Sequence, residues 1–166
     1  MIIVGIDPGV TGAVALFKDG RFLKVLDIPV KPGSSKEKKV IDAAALAHLM
    51  VEESWGSGTH VYMERAHAMP GQGVSSTFGY GLTNGIIEGV LAAIGLTSDG
   101  NPLKKVVPAV WKRRLNLLSN AHPKDAGLKK ARALYPEAPL SLAKHHNRAD
   151  AILIGHYGCL MEGTIK

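Results

Sequence analysis

The chain has 166 residues, 46% of them apolar, enough for one well-packed domain and too few for two ordinary ones. Twenty Lys and Arg against 14 Asp and Glu leave a formal charge of +6, a balance that favours polyanionic partners without implying sequence specificity. One cysteine, Cys159, excludes an intramolecular disulfide or a cysteine-based zinc site, no apolar run reaches membrane-spanning length, and the first residues lack a signal-peptide pattern; a reducing, cytoplasmic setting is expected.

In chain order, Ile2 to Ile6 is a β-branched run broken at Asp7-Pro8-Gly9. Ala13 to Phe17 reads as a second strand, Lys18-Asp19-Gly20-Arg21 as a hairpin turn, and Phe22 to Ile28 as a third strand. Pro32 to Lys39 is polar and reads as a mobile loop, and Ile41 to Glu53 has helical spacing, with Ile41, Ala45, Leu46, Leu49 and Met50 on one face. His60 to Met63 is a short strand stopping at Glu64. Arg65 to Ser76 follows as an irregular segment, then a helix from about Thr77 to Ile94. Gly79, Gly81, Gly85 and Gly89 lie inside that helix; each costs about 1 kcal/mol against alanine, so close packing is the expected reason for them. Lys104 to Val107 is a fifth strand, and helices are predicted from Pro108 toward Leu115, over Lys124 to Tyr135 and over Arg148 to Met161. Three antiparallel leading strands followed by alternating helices and strands imply an α/β layer with a mixed sheet.

Three acids stand out by position. Asp7 ends the first strand, Glu64 ends the fourth, and Asp150 falls in the first turn of the last helix. Strand ends at one sheet edge are where α/β folds present their chemistry. Three carboxylates gathered there repel one another without a cation, and hard oxygen donors suit Mg²⁺ or Mn²⁺. Two such ions about 4 Å apart activate water and stabilise the leaving oxygen in phosphodiester cleavage. Each acid also has a local reading. Asp7 before Pro-Gly fits a turn, Glu64 fits a solvated strand end, and Asn147-Arg148-Ala149-Asp150 fits a capping box with Asn147 as the cap.

Ile3-Val4-Gly5-Ile6-Asp7-Pro8-Gly9 with Thr11-Gly12-Ala13 resembles the first-strand motif of the RuvC-type Holliday junction resolvases. Val61-Tyr62-Met63-Glu64-Arg65 resembles their second acidic motif, and Asn147-Arg148-Ala149-Asp150-Ala151-Ile152-Leu153-Ile154 their terminal helix. The resemblance implies a single ribonuclease-H-like domain over residues 1–166, with a mixed five-stranded sheet flanked by helices. It also implies a homodimer that binds branched DNA and nicks a four-way junction symmetrically, using Mg²⁺ or Mn²⁺, two ions per site. Asp7, Glu64 and Asp150 are the implied metal ligands. Asn147 stands where the commonest pattern has aspartate, so either Asn147 or His146 completes the set.

The resemblance places the segment after Glu64 at the junction crossover. There Met69 is the preferred apolar wedge and Phe78 the second candidate, although Phe78 also reads as packing the following helix into the core. Gln72, Ser75 and Ser76 are candidate phosphate contacts, as are Lys104, Lys105, Lys112, Arg113 and Lys124. Trp111 reads as core or as a base-stacking platform. Leu82, Ile86 and Val90 on the glycine-rich helix are candidates for the dimer contact or for packing on the sheet. Two other functions fit the same acids: a ribonuclease-H-like nuclease acting on other branched DNA or on RNA–DNA hybrid, and a non-catalytic nucleic-acid-binding module.

Overall fold

The computed structural model describes residues 1–33, 39–52, 58–65, 71, 73–98, 101, 103–118 and 125–166. The chain is α/β, with strands β1 (Ile2–Asp7), β2 (Ala13–Lys18), β3 (Arg21–Asp27), β4 (Val30–Pro32), β5 (Lys39–Ile41), β6 (Thr59–Glu64) and β7 (Lys104–Val106). Its helices are α1 (Ala43–Glu52), α2 (Val74–Ala93), α3 (Pro108–Arg114), α4 (Ala126–Leu134) and α5 (His146–Met161). Five strands form one mixed sheet in the order β3-β2-β1-β6-β7. β1 pairs antiparallel with β2, and β2 with β3, whereas β6 runs parallel to both β1 and β7. This is the ribonuclease-H-like arrangement expected from the sequence.

The leading hairpin closes through Asp19 and Gly20, both at positive φ (50° and 78°), which is why an Asp-Gly pair serves there. The polar stretch taken as a loop from Pro32 to Lys39 differs: its two ends, Val30–Pro32 and Lys39–Ile41, pair as a small antiparallel ribbon. Ile41 therefore belongs to β5, and α1 begins after Asp42, whose carboxylate accepts the Ala45 amide at 3.1 Å as an N-cap. Leu46 and Met50 are the fully buried part of the predicted apolar face, while Ala45 is exposed.

Side chains alternate between the two sheet faces. From β1, Val4 and Ile6 join Val61, Met63, Leu46, Met50, Ile87 and Leu91 in the core under α1 and α2. Ile3 points the other way, into a core built from Phe17, Tyr62, Trp111 and the buried face of α5. Gly5 shares the face of Ile3, and α5 presses its backbone directly onto it. A Cβ at Gly5 would overlap the Gly155 nitrogen and the Ala151 carbonyl oxygen, and one at Gly155 would overlap the Phe17 ring. Backbone cannot yield as a flexible side chain does. We expect Gly5→Ala to cost at least about 3 kcal/mol, read as a fall in the midpoint of denaturant unfolding. A midpoint equal to the parent would contradict this close approach.

Cys159 is buried, as its surroundings in the sequence suggest. Among the described residues no helix is long and apolar enough to cross a membrane.

Candidate functional site

The alternation that puts Gly5 under α5 puts Asp7, two residues on, at the sheet edge on the same face. β6 runs beside β1 in parallel, with Ile6 opposite Met63, so Glu64 ends its strand next to Asp7. α5 runs back over β1, with Gly158 above Ile3 and Gly155 above Gly5. Asp150 lies more than one turn before Gly155, over the edge where Asp7 stands. The helix starts at His146, so Asp150 is in its second turn rather than the first.

The three acids feel one another. Burial holds the Asp7 carboxyl well above its ordinary range, and the charges of Asp150 and Glu64 raise it further, against the pull of Lys112. Burial also pushes Asp150 up to about 6; Lys112 and His146 oppose the shift and Glu64 adds to it. Glu64 is oriented by the Trp111 indole, whose Nε1 donates to Oε2 at 2.9 Å. Among the described residues no three His, Cys, Asp or Glu side chains form a ready-made metal cage. The donor set nevertheless fits a hard divalent cation: three anionic oxygen ligands whose mutual repulsion in a poorly hydrated edge is relieved by positive charge.

The capping-box reading of Asn147 does not hold. His145 occupies the cap position, without a side-chain cap bond. The Asn147 amide instead donates across to the loop after β1, to the Thr11 carbonyl at 2.6 Å and the Thr11 hydroxyl at 2.7 Å. It thereby ties the start of α5 to the segment that follows Asp7. His146 is exposed, one turn before Asp150, and its charge reaches both Asp150 and Asp125.

No protein-family model and no curated protein matches the sequence. Among solved structures, RuvC of T. thermophilus in complex with a Holliday junction substrate is similar over 100% of this chain and 99% of that one, at 18% identity and a TM-score of 0.65. A second Thermus thermophilus RuvC structure matches with the same coverage, at 16% identity and a TM-score of 0.55. The chain has the fold of RuvC.

Around the edge of this RuvC-like fold, a cleft of about 690 Å³ lies between the loop after β1 and the first half of α2. Asp7, Thr11, Ser75, Ser76, Tyr80 and Asn147 are among its lining residues. α2 starts one turn earlier than its sequence suggests, so Ser75 and Ser76 are exposed residues of its first turn. Tyr80 was not singled out in the sequence. It lines the same cleft as Asp7, and its hydroxyl has a raised pKa, chiefly from burial and then from the Glu64 and Asp7 charges.

The basic residues separate into groups. Lys112 is brought to the centre: it acts on Asp7 and Asp150, and its Nζ stands 5.0 Å from the Trp111 ring centroid. Lys104 is ion-paired with Glu162, beside the Tyr62 hydroxyl and His60, and Lys105 pairs with Glu88 at 2.6 Å. Arg113 is exposed and lines a separate depression with Val110, Arg114 and Tyr157. Met69, Gln72 and Lys124 lie outside the described residues.

Trp111 is fully buried, as the core reading has it, and only its indole N–H serves the site. Phe78 overturns the core reading, at 72% exposed, with Val74 and Leu82 exposed beside it on α2. Val90 packs into the α1-side core, whereas Ile86 is partly buried against it. A Cβ at Gly79, Gly81, Gly85 or Gly89 would meet nothing within 4 Å, so packing against the described residues does not account for these glycines.

Proposed function

We propose that the chain is a metal-dependent, structure-selective DNA endonuclease, one nuclease domain over residues 1–166, that resolves four-way junctions by paired nicks. The observation that carries this reading is the electrostatic coupling of Asp7, Glu64 and Asp150 at one edge of a RuvC-like sheet. In it, Asp7, Glu64 and Asp150 hold Mg²⁺ or Mn²⁺, with His146 or the free oxygen of Asn147 completing the set. Bound there, two divalent ions supply an activated water and charge stabilisation for the leaving oxygen. Trp111 keeps Glu64 aimed at the centre, and Lys112 offers positive charge to the phosphate being cut. Ser75 and Ser76, on the cleft wall, donate to backbone phosphates, as Gln72 does from the segment before them. Arg113 and Lys124 extend the anion-binding surface, Lys105 adds less because Glu88 holds it, and Met69 enters the crossover. Lys104, held by Glu162, contributes less than its position in the sequence suggests.

Symmetric nicking needs two centres at a fixed separation, and the chain carries one set of acids. The exposed apolar edge of α2, with glycines that nothing in the described chain crowds, supports a homodimer formed across that helix. The test is incubation of the protein with labelled four-way junction, duplex, flap and RNA–DNA hybrid, with and without Mg²⁺, alongside sedimentation. Metal-dependent paired nicks in the junction and a dimeric mass are expected. Preferential cutting of hybrid or flap would move the assignment to another ribonuclease-H-like nuclease, and a junction-bound monomer would overturn the dimer.

A further inference from the structure

The first turn of α4 holds a glycine that no backbone requirement explains. Gly127 is the second residue of that helix, between Ala126 and Leu128. Its φ is not positive, so conformational freedom is not the reason for it. A glycine inside a helix costs about 1 kcal/mol against alanine. Something close to Gly127 must make the missing side chain useful.

A Cβ built on Gly127 would lie 3.2 Å from Oδ1 of Asp150 and 3.7 Å from Cδ1 of Leu153. The second distance is an ordinary van der Waals contact. The first is tighter than a Cβ normally accepts, so a neighbour would have to give by a few tenths of an ångström. The two helices are held in place. Leu128 and Ala131 of α4 are buried in one core with Ala149, Ile152 and Leu153 of α5. A close-packed core resists such a shift far more than a carboxylate turning about its own bonds. The adjustment therefore falls on Asp150.

Metal ligation makes a displacement of that size matter. Ligand distances around a bound cation are held to about 0.2 Å, and groups that orient a ligand change metal affinity about 10- to 100-fold. We propose that Gly127 is a positioning residue of the carboxylate centre, its bare backbone leaving the space in which the Asp150 carboxylate is set for a divalent cation. The proposal rests on the nuclease reading, which puts the cation there. A glycine kept only to let the helices pack would act on neither Asp150 nor metal affinity.

The experiment is calorimetric titration of Mn²⁺ alone, without DNA, into the wild type and Gly127→Ala. Thermal melts of the metal-free proteins accompany it, including Asp150→Ala and the double variant carrying Gly127→Ala and Asp150→Ala. Gly127→Ala is expected to stay folded, because alanine favours the helix, yet to bind Mn²⁺ about tenfold more weakly. Gly127→Ala is also expected to raise the melting temperature more in the Asp150→Ala background than in the wild type, since the crowded carboxylate is gone. Wild-type Mn²⁺ affinity in a folded Gly127→Ala overturns the proposal and leaves the nuclease reading standing, as do equal melting shifts in the two backgrounds. Should Gly127→Ala alone fail to fold, a double variant that folds upholds the proposal and one that does not overturns it. A wild type that binds no Mn²⁺ overturns both readings.

Discussion

Asp7→Asn is expected to lower junction nicking by about a thousandfold or more while the junction stays bound, read as cleavage and gel retardation on the same labelled substrate. The substitution keeps the shape of the side chain and removes the charge nearest the middle of the acidic edge, where Glu64 and Asp150 both act on it. An amide cannot replace a carboxylate as a ligand for two hard cations, so the chemistry is lost. Binding depends on different groups, the lysines, arginines and cleft-lining hydroxyls that meet phosphates. The metal-free variant should also melt higher than the wild type, because a costly buried charge is gone. Near-normal nicking by Asp7→Asn would remove the acid from the centre.

Asp150→Asn is expected to stabilise the metal-free protein by at most about 3 kcal/mol at pH 7 to 8, with the advantage vanishing by about pH 4. The folded-state pKa of Asp150 is about 6, against an ordinary value of 3.8. A carboxyl raised in this way favours the folded state fully below its unfolded pKa and loses that contribution as pH rises through the folded one. The wild type therefore gives up stability between about pH 4 and pH 6, and the asparagine variant does not. Comparing the two proteins cancels groups that titrate in both, including Asp27, whose carboxyl Arg148 holds low, and His156, whose imidazole burial holds low. Saturating Mg²⁺ should reverse the ranking, since only the carboxylate binds it. Melting curves from pH 4 to 8 decide this; a difference independent of pH would mean that Asp150 carries no burial cost.

Much of this was already present in the sequence, wherever local chemistry is enough. Short apolar runs, rich in β-branched residues and bounded by turn residues, marked β1, β2, β3 and β6, because such runs have nowhere to go but a buried sheet. Asp19-Gly20 marked the hairpin, since few residues tolerate positive φ, and Asp7 and Glu64 were recognisable as acids at the point where apolar runs stop. The tertiary structure decided what depends on partners far along the chain. Gly5 reads as one residue of the first strand run, yet its requirement comes from the α5 backbone lying on it. Asn147 has the spacing of a helix cap, yet two strong bonds to Thr11 outcompete the cap. Lys104 and Lys105 look like free cations until Glu162 and Glu88, distant in sequence, pair with them. Phe78 is the kind of residue that packs a core, yet it stands in solvent while Asn84, less than two turns later, is buried. Periodicity shows that a helix has faces; what each face meets is a property of the packed molecule.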